Sequence, residues 1–219
     1  MNIIFVKVDR KYTIDNVNTL YNQLHKFGPN FKYYCYTDDL DDAKKLDQNI
    51  TPLLINPKLH LFKVWNKLHM FSSDFPVKGR ILYFDLDTII QNNPFKIIDQ
   101  LDFDKITMVD CHWKPRDLVR LTNYDVTVNS SVLAWDSTNE QTHQLWDYFA
   151  NSGYRDYFVK KYIGIDRYIV HEHSDLKMFD YFPTDYIMSY KYENHDKEAP
   201  VITFEELDFG SIDFKPGSY

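Results

Sequence analysis

Only two cysteines occur in 219 residues, Cys35 and Cys111. They could form one disulfide at most. Nothing in the chain points to an oxidising compartment, so both are expected to be buried thiols, the usual state of free cysteine. Positive charge is also in deficit: 25 Lys and Arg face 32 Asp and Glu, a formal net charge of -7. A general nucleic-acid binder needs a basic surface, so that class is disfavoured. A small anionic ligand is still possible, because one lysine and a metal ion can hold it. No run of about 18 apolar residues exists, so no membrane span is expected. The N-terminal "MNIIFVKVDRKYT" is too short in apolar content for a signal segment and reads as a first strand. Repeats, low-complexity tracts and Gly/Ser-rich linkers are missing too. The expectation is a single cytoplasmic domain over 1–219, long enough to bury a core. Aromatics are plentiful, with 17 Tyr and 16 Phe, suited both to cores and to pockets for flat or ring-shaped ligands.

"IIFVKV", "FKYYCYT", "ITPLLIN", "KITMVD" and "VTVNSSVLAWD" read as strands. Ile14, Val17, Leu20, Tyr21, Leu24 and Phe27 fall at helical spacing, and Gly28 with Pro29 ends that helix. "HLFKVWNKLHMF" reads as a helix with Leu61, Val64, Trp65, Leu68 and Phe71 on one side. Asn93 and Pro94 suit a helix start. "TNEQTHQLWDYFAN" and "VKKYIGIDRYIVHEH" read as two further helices, and the tail as one strand followed by a loop. Strands alternating with helices predict an α/β fold with a mostly parallel sheet. Ligands of such sheets lie beyond the carboxyl ends of the strands, where strand order reverses.

"ILYFDLDTII" (81–90) sets Asp85 and Asp87 in an apolar run. Other Asp-x-Asp pairs occur, Asp39/Asp41 and Asp102/Asp104, but neither lies in such a run. Three readings compete. The carboxylates could cap a helix or pair with a buried arginine. They could hold a divalent cation, Mg²⁺ or Mn²⁺, which takes oxygen ligands and bridges to phosphates. Asp85 could instead be a phosphatase nucleophile, although Thr88 sits one position too early for that motif and at least two strands precede it. "HEH" (171–173) is expected in surface or packing roles, since helical residues two apart diverge. Trp65 and Trp146 belong to apolar helical faces, and Trp113 is the better candidate to stack on a ring-shaped ligand.

"WNKLHMFSSDFPVKGRILYFDLDTIIQNNPFKI" resembles the centre of glycogenin-like, family-eight-type glycosyltransferases of the GT-A fold, through Lys67, Leu68, Asp85, Asp87, Thr88 and Asn93. "VNSSVLAWD" is similar to that family's Asn-Ser-(Gly or Ser)-Val strand. "IGIDRYIV" resembles its Gly-Asp-Gln helix start, with Asp166 at the Asp and Arg167 replacing the Gln. "VDRKY" sits where the family has a strand end and a tyrosine near the nucleotide base. The family's C-terminal histidine is missing between Phe204 and Lys215-Pro216, and Glu205 stands in its place.

The resemblance implies a GT-A fold, with 1–100 as a nucleotide-binding half and 101–219 as a donor-sugar and acceptor half. It implies transfer of a sugar from a nucleotide-diphosphate sugar, UDP-linked in most members, to a saccharide or other hydroxyl acceptor, with retention. Mn²⁺ or Mg²⁺ would be held by Asp85, Asp87 and Glu205. Val8, Asp9, Tyr12, Thr37, Lys67, Asp85 and Leu86 would bind the nucleotide. Asp110, Asn129, Ser130, Ser131 and Asp166 would face donor sugar or acceptor, and Lys67 and Asp166 would act in catalysis. A binding domain without turnover is the competing reading, prompted by the missing histidine.

Overall fold

Residues 1–59, 61–114, 127–151, 153–162, 164–173, 177–193 and 198–204 are described by a computed structural model. Strand β1 (Asn2–Lys7) is buried throughout, and its side chains alternate between two cores. Ile4 and Val6 join one cluster, Ile3 and Phe5 the other. Strand β4 (Arg80–Phe84) does the same, with Ile81 and Tyr83 against Leu82 and Phe84. A strand covered on both faces has no polar side, which is why these segments read as continuous apolar runs.

The main sheet adds β2 (Lys32–Thr37), β3 (Ile50–Leu54), β6 (Ile106–Asp110), β7 (Val128–Asp136) and β8 (Phe179–Tyr181). Its order is β3-β2-β1-β4-β7-β6-β8. Pairing is parallel except around β7, which runs antiparallel to both β4 and β6. A small second sheet has β5 (Thr88–Ile90), β10 (Val201–Thr203) and β9 (Ile187–Ser189), with β10 between its partners. Beyond the expected α/β architecture, two strands went unread, β8 and β9.

Helix α1 (Ile14–His25) buries Ile14, Val17, Leu20, Tyr21 and Leu24 as its spacing predicts. Phe27 lies past the helix end and is 38 % exposed, contrary to expectation. α2 is a single turn (Leu40–Ala43). The segment Lys63–Phe71 is a 3-10 helix, not an α-helix. With three residues per turn, Trp65, Leu68 and Phe71 face inward, while Val64 is exposed. Trp65 stacks on Phe149 of α3 (Glu140–Asn151), ring centroids 5.2 Å apart. The helix expected over 159–173 is two helices, α4 (Arg155–Lys161) and α5 (Ile165–Glu172). Gly164 caps α5 in extended conformation. His171 stacks on Tyr162, and His173 is buried with Nε2 2.9 Å from the Tyr168 hydroxyl. The pair does not converge, as expected. Cys35 and Cys111 are buried thiols not joined in a disulfide.

Gly28, three residues past the end of α1, is glycine for a reason of space. A Cβ there would lie 2.6 Å from the Phe31 ring and 2.7 Å from the Phe95 ring. Those rings pack edge to face at 4.8 Å and have no easy retreat. Gly28→Ala is expected to cost about 1–3 kcal/mol by overpacking, read as a lower urea midpoint at unchanged slope.

Candidate functional site

From β1 the sheet grows outward through β2 and β3, and from β4 it grows the other way. The order reverses between them, so a crevice opens at their carboxyl ends. β1 ends in a buried lysine. Lys7 Nζ pairs with Asp42 and donates to the Asp9 carbonyl at 2.8 Å. Asp9 itself takes the left-handed conformation (φ 58°). Its N–H donates to Asp38 at 3.2 Å, and its Oδ1 accepts from Lys11 N–H at 2.7 Å. This bend turns the chain across the crevice to Tyr12. Val8 is half-buried, and Thr37, fully buried at the end of β2, accepts from Asp39 N–H at 3.3 Å.

On the other wall the chain turns through Asp85, Leu86 and Asp87 between β4 and β5. Asp85 N–H donates to Ser131 O at 2.7 Å. Thr88 closes the turn, its N–H and Oγ1 both on the Asp85 carbonyl at 3.2 and 2.7 Å. Asp85 is already paired. Lys67 Nζ, from the 3-10 helix, lies 2.6 Å from Oδ1 and 2.7 Å from Oδ2. The Tyr83 hydroxyl also donates to Oδ1, and Lys67 sits 5.1 Å above the Tyr83 ring. Burial, then the Asp85 charge, pushes the Tyr83 phenol far up. A carboxylate held this way is a poor nucleophile, which weighs against the aspartyl-phosphate reading.

Asp87 is held differently. Tyr12 donates its hydroxyl to Oδ2 at 2.8 Å. Oδ1 is buried and has no hydrogen-bond partner among the described residues. Burial first, and the charge of Asp85 second, raise its pKa to about 6. An unpaired buried oxygen costs about 1–3 kcal/mol, more when charged, and a proton, a water or a bound cation would each relieve that cost.

A third carboxylate comes from the first turn of α5. Asp166 Oδ1 accepts from Ser130 N–H at 3.0 Å. Burial raises its pKa, and the Lys67 ammonium opposes that rise. Ser130 and Ser131 reach this position through an irregularity in β7. Asn129 pairs with Val109, yet the next paired residue, Leu133, faces Met108. The intervening residues are freed from β6, as at a bulge beside a functional site. Asn129 Oδ1 accepts from Ser131 N–H at 2.7 Å. Asp110 is half-buried at the end of β6, opposite Val128.

A cavity of about 200 Å³ adjoins the turn, lined by Lys11, Tyr12, Asn16, Leu86, Asp87, Thr88, Ile89 and Phe204. That is below the roughly 300–1,000 Å³ of most small-molecule sites; it suits a nucleoside-sized portion of a ligand. Lys67, Asp85 and Asp166 do not line it. Lys11, Asn16, Ile89, Phe204 and Tyr83 were not foreseen as site residues. Phe204 arrives with β10, and its N–H donates to the Asp87 carbonyl at 3.2 Å. A larger, more open hollow beside α3, with Ser73, Glu140 and His143 among its walls, contains none of the expected site residues.

The donors present are of the type a hard cation takes: one buried carboxylate oxygen without a partner and a second carboxylate, paired with Lys67, two residues away. Among the described residues no group of three His, Cys, Asp or Glu could hold a metal. Glu205, the expected third ligand, lies outside the described residues.

No protein-family model and no curated protein matches the sequence. Solved structures do match. The galactosyltransferase LgtC, solved with donor and acceptor sugar analogs, aligns at TM-score 0.66 and 11% identity over 93% of this chain and 87% of its own. The glycosyltransferase GlyE of Streptococcus pneumoniae aligns at 0.66 and 14% identity, covering 98% of this chain and 57% of its own. Mouse xyloside xylosyltransferase 1 aligns at 0.57 and 9% identity, covering 93% and 97%. Identities this low carry the fold alone. Among the described residues no helix is long and apolar enough to cross a membrane. With the order of its main sheet, the antiparallel strand β7 within that sheet and these neighbours taken together, the chain has the GT-A glycosyltransferase fold.

Proposed function

We propose that the protein is a cation-dependent glycosyltransferase acting on a nucleotide-diphosphate sugar, UDP-linked, with retention at the transferred sugar. The observation that carries this reading is the unpartnered Asp87 Oδ1 beside the Lys67–Asp85 pair, at the crevice between β1 and β4. The fold it shares with LgtC, whose structure holds donor and acceptor sugar analogs, supports the substrate class.

When bound, Mn²⁺ or Mg²⁺ would supply Lewis-acid stabilisation of the leaving diphosphate. Asp87 and Asp85 would hold it, joined by Glu205. Lys67 is the cation this chain itself brings to the growing negative charge. It can exchange one Asp85 oxygen for a phosphate oxygen while keeping the other. Tyr12 and Leu86 form the nucleoside side together with Ile89 and Phe204. Val8 and Asp9, just past the end of β1, would extend it, and Thr37, fully buried, supports that wall without reaching the ligand. Asp166, fixed by the Ser130 N–H, orients a sugar hydroxyl, with Asn129, Ser131 and Asp110 beside the donor sugar or acceptor.

The test is a melting-temperature screen of nucleotide sugars with and without Mn²⁺, followed by sugar-transfer assays on the hits. A ligand at 100 times its Kd adds about 2.7 kcal/mol, roughly 5–10 °C for a domain of this size. The expected result is a rise with UDP-sugars that requires Mn²⁺. The absence of any rise at millimolar nucleotide sugar overturns the reading. The full pairing of Asp85 favours a second reading, a domain that binds donor without turnover. It predicts the same melting shift with neither transfer nor donor hydrolysis.

A further inference from the structure

We propose that Tyr12 is a positioning residue for the cation, in addition to lining the nucleoside cavity. The inference rests on the reading of Asp87 as a cation ligand and goes on to say what aims it. A buried aspartate can rotate about its side-chain torsions unless one oxygen is fixed. The Tyr12 hydroxyl fixes Oδ2 at 2.8 Å, and the remaining oxygen, Oδ1, is the one without a partner. The backbone on either side of the carboxylate is fixed too. Thr88 ties the turn before it, and Phe204 N–H binds the Asp87 carbonyl. Only the side chain was left to orient, and the phenol does so.

The same arrangement recurs on the neighbouring carboxylate, where Tyr83 donates to Asp85. The two hydroxyls differ in origin. Tyr83 lies on β4, two residues from its partner, whereas Tyr12 comes from the opposite wall of the crevice. Its ring lines the 200 Å³ cavity. Anything that seats against that ring therefore also settles the oxygen that takes the ion. The chain thus links the nucleoside end of the site to the cation end through one hydroxyl, without a phosphate between them. Hydrogen bonds to ligating carboxylates are worth about 10–100-fold in metal affinity.

Calorimetric titration of Mn²⁺ alone, without nucleotide, into wild type, Tyr12→Phe and Tyr12→Ala tests this. Tyr12→Phe is expected to weaken Mn²⁺ at least threefold and up to 100-fold, with a melting temperature in EDTA lowered by the lost hydrogen bond to Asp87 but a single cooperative transition retained. Tyr12→Ala is expected to lose no more than Tyr12→Phe, because the hydroxyl and not the ring acts on Asp87. If Tyr12→Phe binds Mn²⁺ within threefold of wild type, the positioning role is overturned and the cation reading stands. If only Tyr12→Ala loses affinity, the ring's packing is responsible, and the proposal falls. If wild type itself binds no Mn²⁺, the cation reading fails, and the inference with it.

Discussion

Asp87→Asn is expected to make the cation-free protein more stable at pH 8 and deaf to Mn²⁺. In the unfolded chain this carboxyl ionises near 3.8, and in the fold its pKa rises to about 6. Between those values the native state binds more protons than the unfolded state. Stability therefore falls as pH climbs through that window, and the penalty is complete above about pH 7. About two pH units correspond to about 2–3 kcal/mol, or roughly 5–10 °C in a domain of this length. Asparagine keeps an oxygen for the Tyr12 hydroxyl and removes the charge. Melting curves in EDTA from pH 4 to 8 should show wild type losing stability relative to the variant as pH rises, because only wild type carries the Asp87 charge. Adding Mn²⁺ at pH 8 should reverse the ranking, raising wild type alone. Parallel curves for the two proteins in EDTA would mean that the Asp87 charge is not penalised in the fold.

Lys67→Met should produce the opposite outcome. The ammonium is buried and touches both oxygens of Asp85, and its charge also opposes the raised pKa of Asp166. Methionine replaces the stem and leaves the carboxylates facing one another. Removing one partner of a buried pair costs about 3–5 kcal/mol, enough to lower the melting temperature by roughly 10 °C. The loss should shrink at pH 4, where Asp87 and Asp166, both raised, take up protons first. Nucleotide-diphosphate binding should vanish while nucleoside binding survives. A loss under 1 kcal/mol, equal at both pH values, would show that Lys67 does not balance these charges.

Much of this site was legible because apolar runs mark strands buried on both faces and because polar residues at their ends stand out. Asp85, Asp87, Lys67 and Asp166 do come together, although α5 is more than 60 residues beyond β5 in the chain. What escaped notice has physical causes. β8 and β9 have three residues each, too few to display alternation. One helix ends at Lys161 and the next begins at Ile165, with no proline in the sequence between them to signal it. The 3-10 winding of Lys63–Phe71 changes the inward set by one position, which put Val64 outside. Tyr83 is fully buried within the apolar run, and its hydroxyl reaches Asp85 because the strand ends at Phe84, one residue after it. Ile89 and Phe204 face the cavity through pairing between β5 and β10, a contact with no local sequence signal.

That pairing also sets a schedule for the chain's birth. β5 leaves the ribosome early, but its antiparallel partner and the N–H that binds the Asp87 carbonyl belong to residues 201–204, more than a hundred positions later. Contacts so distant in sequence form late. A nascent polypeptide can thus complete most of its large sheet while the acidic turn still lacks its outer support, and the candidate site stays incomplete until synthesis has passed residue 204.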